Sequence, residues 1–305
     1  MPTFVGKIRK RLDRKFLRMV KEDRLHWLPD KLFLSWMFRI KMGYKLDWKN
    51  PVTFDEKLNW IKVYDRNPLY TRLVDKYAVK EYVSGIIGAE HVAPTFGVWD
   101  KFDDIDFDSL PDQFVLKCSH DSGGLVVCKD KSKLDLEKAR EIIEKSLKRN
   151  YYYKWREWPY KNVRPRILAE KYLEDSVDNE LRDYKFHTFN GEPRILLIAS
   201  NRHNKEKKGF DFFDMNLQPL DLRDISVPNS PLGRPHPPKN FNQMRQFCRM
   251  LAKDFPCVRV DFYEVNGHVY FGEMTFFDDA GFMRNTPSSW EKEWGDMVTL
   301  PPKRR

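Results

Sequence analysis

A pair of carboxylates set into an otherwise apolar hairpin constrains this chain more than any other feature. Residues 257–276, CVRVDFYEVNGHVYFGEMTF, read as two strands, Val258–Glu264 and His268–Phe276, that reverse at Asn266-Gly267. That dipeptide favours the left-handed backbone of a tight turn. One strand carries Asp261 and the other Glu273, and the register decides whether they meet. A two-residue turn pairs Val260 with Glu273 and sends the acids to opposite faces. A three-residue loop, Val265 to Gly267, pairs Arg259 with Glu273 and gathers Arg259, Asp261 and Glu273 on one face. Val258, Val260, Phe262, Tyr270 and Met274 then line the other. The second register is expected, because it separates apolar from charged residues. Two carboxylates beside an arginine on a rigid sheet suit a hard divalent cation, magnesium shared with phosphate oxygens. A charged face that is simply solvated is the competing reading.

The rest of the composition permits a large fold. A chain of 305 residues with 41% hydrophobic and 14% aromatic residues fills one large domain or two modest ones. Cys118, Cys128, Cys248 and Cys257 lack zinc-ligand spacing and sit in apolar patterns, as reduced thiols of a cytoplasmic protein do. Residues 1–24 hold nine Lys/Arg against three acids but no continuous apolar run, so no signal peptide is expected. Leu32–Met42 is interrupted by Arg39 and Lys41 and is too short to span a bilayer. The net charge of +10 favours polyanionic partners.

Ile8, Leu12, Phe16, Met19 and Val20 recur at helical spacing among lysines and arginines. Such a helix lies on an anionic membrane or packs on the protein body, and both readings stay open. Asp30–Met42 reads as a helix stopped by Gly43, and Thr53 with Glu56 forms a capping box for a helix through Tyr64. These first helices look like a packing layer without chemistry. Asp75 caps the next helix and places Lys76 in its first turn, a helix end that attracts anions. In QFVLKCSHDSGGLVVCKD, a strand holding Lys117 leads through the tip Ser122-Gly123-Gly124 into a second strand. Glycines there let backbone N–H groups approach phosphate, although a plain hairpin turn fits too. A helix from Asp135 to Arg149 precedes a cluster of tyrosines and tryptophans at 151–160, read as core or as a stacking surface. Arg166–Leu173 is a strand with Glu170 in apolar surroundings, where a carboxylate needs a partner. Two strands reverse at Asn190-Gly191, and Lys185 and Arg202 are candidates to point toward a phosphate site; His187 and His203 are read as structural. Residues 204–240 read as a long loop or hairpin insert, and Asn242–Lys253 as a helix leading into the hairpin.

In this order the segments resemble the ATP-grasp superfamily, in its TupA-like (teichuronopeptide biosynthesis) branch. The matching stretches are FDEKLNWIKVYDR at 54–66, DKYAVKEYV at 75–83, KCSHDSGGLVV at 117–127, ILAEKYLED at 167–175, LRDYKFHTFNGEP at 181–193 and the hairpin. The resemblance implies an α+β fold in which two subdomains clamp ATP. A basic helical extension (1–52) would precede an ATP-grasp domain (53–305), with a lid-type part at 112–172 and a metal-binding part at 173–300. It further implies that Lys76, Lys117 and Ser122, Gly123 and Gly124 contact the ATP phosphates. Glu170, Lys171, Tyr172 and Leu173 would edge the adenine pocket, and Glu174 would meet the ribose. Lys185, Arg202 and Arg259 would steady the transferred phosphate, and Asp261 and Glu273 would hold Mg²⁺. Thr275 stands where many members carry an Asn as third ligand, so Asp278 or a water is a substitute there.

The implied reaction is carboxylate–amine ligation through an acyl phosphate, with no Ser, Cys or His nucleophile. The implied setting is an envelope polysaccharide: an acidic saccharide or lipid-linked glycan acceptor, an amine donor, and peripheral contact with the inner membrane face through the first helix. A sugar kinase, a glycosyltransferase of capsule synthesis and a non-enzymatic polyanion-binding module are the alternatives, and nucleic acid is not an expected partner.

Overall fold

The computed structural model describes residues 4–175, 180–201 and 204–304. The helices are α1 (Phe4–Lys21), α2 (Asp30–Met42), α3 (Phe54–Tyr64), α4 (Leu69–Val74), α5 (Ala78–Ile87), α6 (Leu136–Leu147), α7 (Tyr152–Trp155), α8 (Phe241–Ala252) and α9 (Ser289–Met297). The strands are β1 (Thr95–Trp99), β2 (Phe114–Cys118), β3 (Leu125–Cys128), β4 (Ile167–Lys171), β5 (Asp183–Phe189), β6 (Glu192–Ser200), β7 (Gly209–Asp214), β8 (Arg223–Asp224), β9 (Cys257–Val265), β10 (His268–Thr275) and β11 (Asn285–Thr286).

Local chemistry starts and stops several helices as the sequence suggests. Gly43 ends α2 in the left-handed conformation, at φ 86°. Thr53 and Glu56 cap α3 reciprocally. Asp75 instead accepts from the backbone N–H groups of Tyr77 and Ala78, so α5 starts later than expected and Lys76 precedes it.

Two antiparallel sheets carry the architecture. The smaller has the order β1-β4-β2-β3, and α6 packs Ala139 and Ile143 onto Phe114, Leu116, Ile167 and Ala169. It takes β1 from residue 95, outside the lid limits expected at 112–172. The larger has the order β10-β9-β5-β6-β7. Its apolar face is covered by α8 through Met244, Phe247, Cys248 and Leu251. The segment expected to be a loop or insert at 204–240 thus supplies β7, the strand at one edge of this sheet. Residues 172–175 leave the small sheet, and Leu173 clusters with Val265 of the large one. The N-terminal helices share an apolar cluster with Ala280 and Phe282 of the main body.

The hairpin corrects the register expected from sequence. Asn266 (φ 52°) and Gly267 (φ 77°) form a two-residue turn, with His268 opposite Val265. The pairing then slips by one residue at Gly272, so Glu273 lies opposite Asp261 and Thr275 opposite Arg259. A Cβ at Gly272 would come within 3.0 Å of the Asp261 carbonyl oxygen, so the bulge sits where a residue without a side chain fits best. The bulge, and not a longer turn, therefore puts both acids and Arg259 on one face. It also moves Phe271 to the apolar face in place of Tyr270.

The other face of the large sheet is closed at one end by α3 and α9. The fully buried Trp294 packs against Phe54, His187 and Phe189. Gly295 makes that approach possible, because a Cβ there would lie 2.0 Å from the Val52 carbonyl oxygen. Gly295→Ala is expected to destabilise the fold by about 1–3 kcal/mol through overpacking against backbone, read as a lower urea midpoint with an unchanged m-value.

Candidate active site

The site is built from two rows of side chains crossing three strands on the open part of that face. Lys185 on β5 lies opposite Asp261 on β9, which lies opposite Glu273 on β10. The adjacent row is His187, Arg259 and Thr275. Because these positions are set by strand pairing, their spacing is held by the backbone ladder.

Arg259 organises both rows. Its Nε and Nη2 grip the two oxygens of Asp261 at 2.7 and 2.8 Å, a fork-to-carboxylate match. Nη2 also reaches Glu273 Oε1 at 3.0 Å and Thr275 Oγ1 at 3.1 Å, and Nη1 donates to Asp278. Lys185 bridges Asp261 at 2.5 Å and Asp183 at 3.0 Å. Burial opposes charge on Lys185 and Arg259, yet the surrounding carboxylates, Asp261 first among them, raise both pKa values. Burial would likewise raise the Asp278 carboxyl, but Arg259 holds it below its usual range. Burial pushes the His187 imidazole down to about 4 despite Asp278 beside it, so it is neutral near pH 7.

Among the described residues this cluster sets two cations, Lys185 and Arg259, against the carboxylates of Asp183, Asp261, Glu273 and Asp278, so acids outnumber bases there. Oxygen donors with that surplus, half-exposed at Glu273, fit a hard divalent cation. Asp261, Glu273 and Thr275 are the expected ligands that share the face. Thr275 Oγ1 also donates to Glu273 at 3.2 Å, which fixes that carboxylate.

The row opens on a cleft of about 270 Å³. Across it stand Lys76 and Ser122, brought there by the loop after β2. Lys76 donates its backbone N–H to the Ser119 carbonyl and its Nζ to that of Asp121. Burial lowers its pKa, while Glu273 and Asp121 pull the other way. The loop is anchored by buried Asp121, which accepts from Ser146 Oγ at 2.6 Å and from Arg149. Gly124 differs from expectation: its N–H is taken by Asp121, and a Cβ would meet Ser146 Oγ at 2.3 Å. That glycine serves packing against α6, whereas Gly123 is exposed at the tip.

Lys117, expected at the phosphates, does not line this cleft and pairs with Glu170. The sequence reading missed Lys80, which holds the other Glu170 oxygen at 3.0 Å and the Ala93 carbonyl at 2.7 Å. Burial would raise the Glu170 carboxyl, yet Lys117 and Lys80 keep it below the usual range. Lys171 is exposed and Glu174 lies 3.7 Å from Lys129, which also sits over the Tyr172 ring; Leu173 is buried between the sheets. Arg202 lies outside the described residues.

The first helices do contribute to the site, contrary to their expected role as packing alone. Asp55, Asn59 and Lys62 lie on one stripe of α3 and are all buried. Lys62 Nζ donates to the Ala280 carbonyl at 2.6 Å and to that of Trp155 at 3.0 Å. Asn59 donates to the Gly281 carbonyl at 2.7 Å, and Asp55 accepts from Met283 N at 2.9 Å. They hold a turn in which Asp279 (φ 40°) and Ala280 (φ 53°) are both left-handed, a conformation that costs non-glycine residues energy and needs such support. The spacing of Asp55, Asn59 and Lys62 along one stripe of α3 was the available signal.

The family model described as TupA-like ATPgrasp matches residues 56–299. The chain belongs to the TupA-like ATP-grasp family. No curated protein matches it. Among solved structures, D-alanine–D-alanine ligase from Bacillus anthracis complexed with ATP is 17% identical over 67% of this chain and 54% of that one, with a TM-score of 0.37. The Helicobacter pylori D-alanine–D-alanine ligase is 14% identical over 74% and 61%, with a TM-score of 0.39. The ATP-grasp ligase PsnB complexed with minimal precursor, Mg and ADP is 11% identical over 86% and 66%, with a TM-score of 0.40. The TupA-like chain thus spans about half to two thirds of the length of these structures. No helix among its described residues is long and apolar enough to cross a membrane.

Lys62→Met removes the cation from beneath the left-handed turn and leaves two buried carbonyls without their donor. It is expected to cost about 3–5 kcal/mol, as when one member of a buried charged pair is deleted, measured by urea unfolding of the full chain.

Proposed function

We propose that this TupA-like protein is an ATP-dependent carboxylate–amine ligase that works through an acyl phosphate, amidating a uronic acid of a cell-envelope polysaccharide or its precursor. The observation that carries the reading is that Glu273, Arg259 and Thr275, with Asp261 and Lys185 paired to them on the same sheet face, line one cleft with Lys76 and Ser122. Family membership adds ATP as the phosphoryl donor.

Asp261 and Glu273 would hold Mg²⁺, with Thr275 steadying Glu273. Magnesium, when bound, supplies charge neutralisation for phosphate oxygens. Lys76 and Ser122 face the phosphate end of the nucleotide, and Lys117 with Lys80 fixes Glu170 at the edge of the adenine pocket. Lys185 and Arg259 hold the acids in register through their ion pairs, so the site needs no reorganisation when the phosphoryl group moves. The substrate carboxylate attacks the γ-phosphorus, ADP leaves, and an amine then displaces phosphate from the acyl carbon. Chemistry of this kind rests on positioning and electrostatics, which accounts for a site rich in lysine, arginine and carboxylate without a side-chain nucleophile.

We also place the protein at the cytoplasmic membrane face. Ile8 and Leu12 of α1 are exposed among its basic residues, while Phe16 is buried in the body. An exposed apolar edge flanked by lysine and arginine suits an anionic bilayer. Co-sedimentation with vesicles containing phosphatidylserine, absent with phosphatidylcholine alone and reversed by salt, is expected; equal sedimentation with both would overturn this placement.

The central test measures ADP release with Mg²⁺, glucuronate and a primary amine, and weighs the product. An amide without phosphorus is expected, and a phosphorylated sugar would make the protein a kinase. Glu273→Gln should lower turnover on the order of 10²-fold or more, like removal of another electrostatic stabiliser. Chelation of the metal should abolish it.

A further inference from the structure

The cleft continues past the charged rows to a second end whose chemistry the phosphate-facing residues do not use. Its lining includes Lys41, Trp155, Glu157, Tyr160, Phe277 and Asp279. Glu157 is 95% buried, yet it borders the cleft, and no described residue donates a hydrogen bond to its carboxylate. Its oxygens therefore open on the cleft, where water or a ligand group completes them. Lys62 lies near enough to interact with it, but its Nζ is engaged by the Trp155 and Ala280 carbonyls. The acids Asp278, Asp279 and Glu273 act on it too, and with Glu157 they outnumber Lys62 and Lys41, the cations that act on Glu157 and Asp279. Tyr160 flanks this end, and so does Trp155, whose ring already has Lys41 Nζ 5.2 Å and Lys154 Nζ 5.6 Å from its centroid; the Tyr160 face can add to the binding of an ammonium group.

We propose that this end of the cleft is the subsite of the amine substrate, its ammonium group lodged between Glu157 and Asp279 and its carbon frame against Trp155, with Glu157 as the base. This rests on the ligase reading given above. The ammonium gives one proton to Glu157. The nitrogen lone pair then forms the C–N bond at the acyl carbon while the C–O bond to phosphate breaks. The bonding pair departs with phosphate, which takes the second nitrogen proton. Burial pushes the Glu157 carboxyl up to about 7 against the pull of Lys62, a value suited to accepting a proton near neutral pH. The left-handed turn at Asp279 and Ala280 has a use in this scheme: it brings Asp279 over the subsite, and α3 holds it there.

The test is binding to the full chain with Mg·ADP present, using glucosamine and ethanolamine against glucose and glucuronate as probes. Glucosamine, glucose and glucuronate share a ring and differ in charge, so they report the sign the subsite selects. Both amines should bind and glucose should not, and Glu157→Gln should weaken the amines on the order of tenfold or more with Mg·ADP affinity unchanged, as expected for loss of a charged hydrogen bond. Asp279→Asn, on the exposed lip, should weaken them in the same direction and serves if the first variant does not fold. Amines that bind no better than glucose, or glucuronate binding that is lost in Glu157→Gln, would overturn the amine subsite while Mg·ADP binding left the ligase reading standing. Wild-type protein that fails to bind Mg·ADP would overturn both.

Discussion

Three carboxylates on one sheet face and a fourth, Asp278, in the turn beyond it repel each other, and the fold tolerates them because Arg259 and Lys185 are interleaved with them. Removing a charge from water carries a penalty that only close, well-aligned partners offset. Arg259 provides that alignment, since its planar fork meets Asp261 with two nitrogens and still reaches Glu273 and Asp278. Among the described residues of this cluster carboxylates outnumber cations, and Glu273 remains half-exposed at the cleft. A surplus of that kind is a poor device for stability and a suitable one for holding a divalent cation against phosphate.

A second buried cation performs a different task. Lys62 spends its donors on the carbonyls of two segments far apart in sequence, Trp155 and Ala280. It thereby ties the aromatic segment to the left-handed turn and closes one end of the cleft. The N-terminal helices complete this arrangement from outside, where Phe38 packs on Phe282 at 6.4 Å between ring centroids and Arg156 donates to the Leu28 carbonyl. Helices that resemble a cover are therefore part of the cleft's construction.

How much of this was legible depended on distance along the chain. The capping box of α3, the glycine stop of α2 and the reversal at Asn266-Gly267 follow from a few adjacent residues, and the structure keeps them. The shared face of Asp261, Glu273 and Arg259 was also anticipated, though through the wrong device. A turn of three residues and a bulge at Gly272 both shift parity by one, and alternation of apolar residues cannot tell them apart. Lys80 was overlooked because a lysine on an amphipathic helix looks solvated until Glu170 is seen against it. Strand β7 was overlooked because residues 204–240 are dominated by turn formers, which mask a short run that gains its order by pairing with β6.

The sequence by itself determined the chemistry available: which acids, lysines and glycines exist, which lie two apart on a strand, and which family pattern they follow. Tertiary structure decided which of them meet. It set Lys185, Asp261 and Glu273 in one row, turned Gly124 toward α6, and brought Asp55, Asn59 and Lys62 under a turn more than two hundred residues away. The physical reason is that propensity and periodicity act through neighbours on the chain, whereas neutralising a buried charge or supporting a left-handed turn requires partners that only packing supplies.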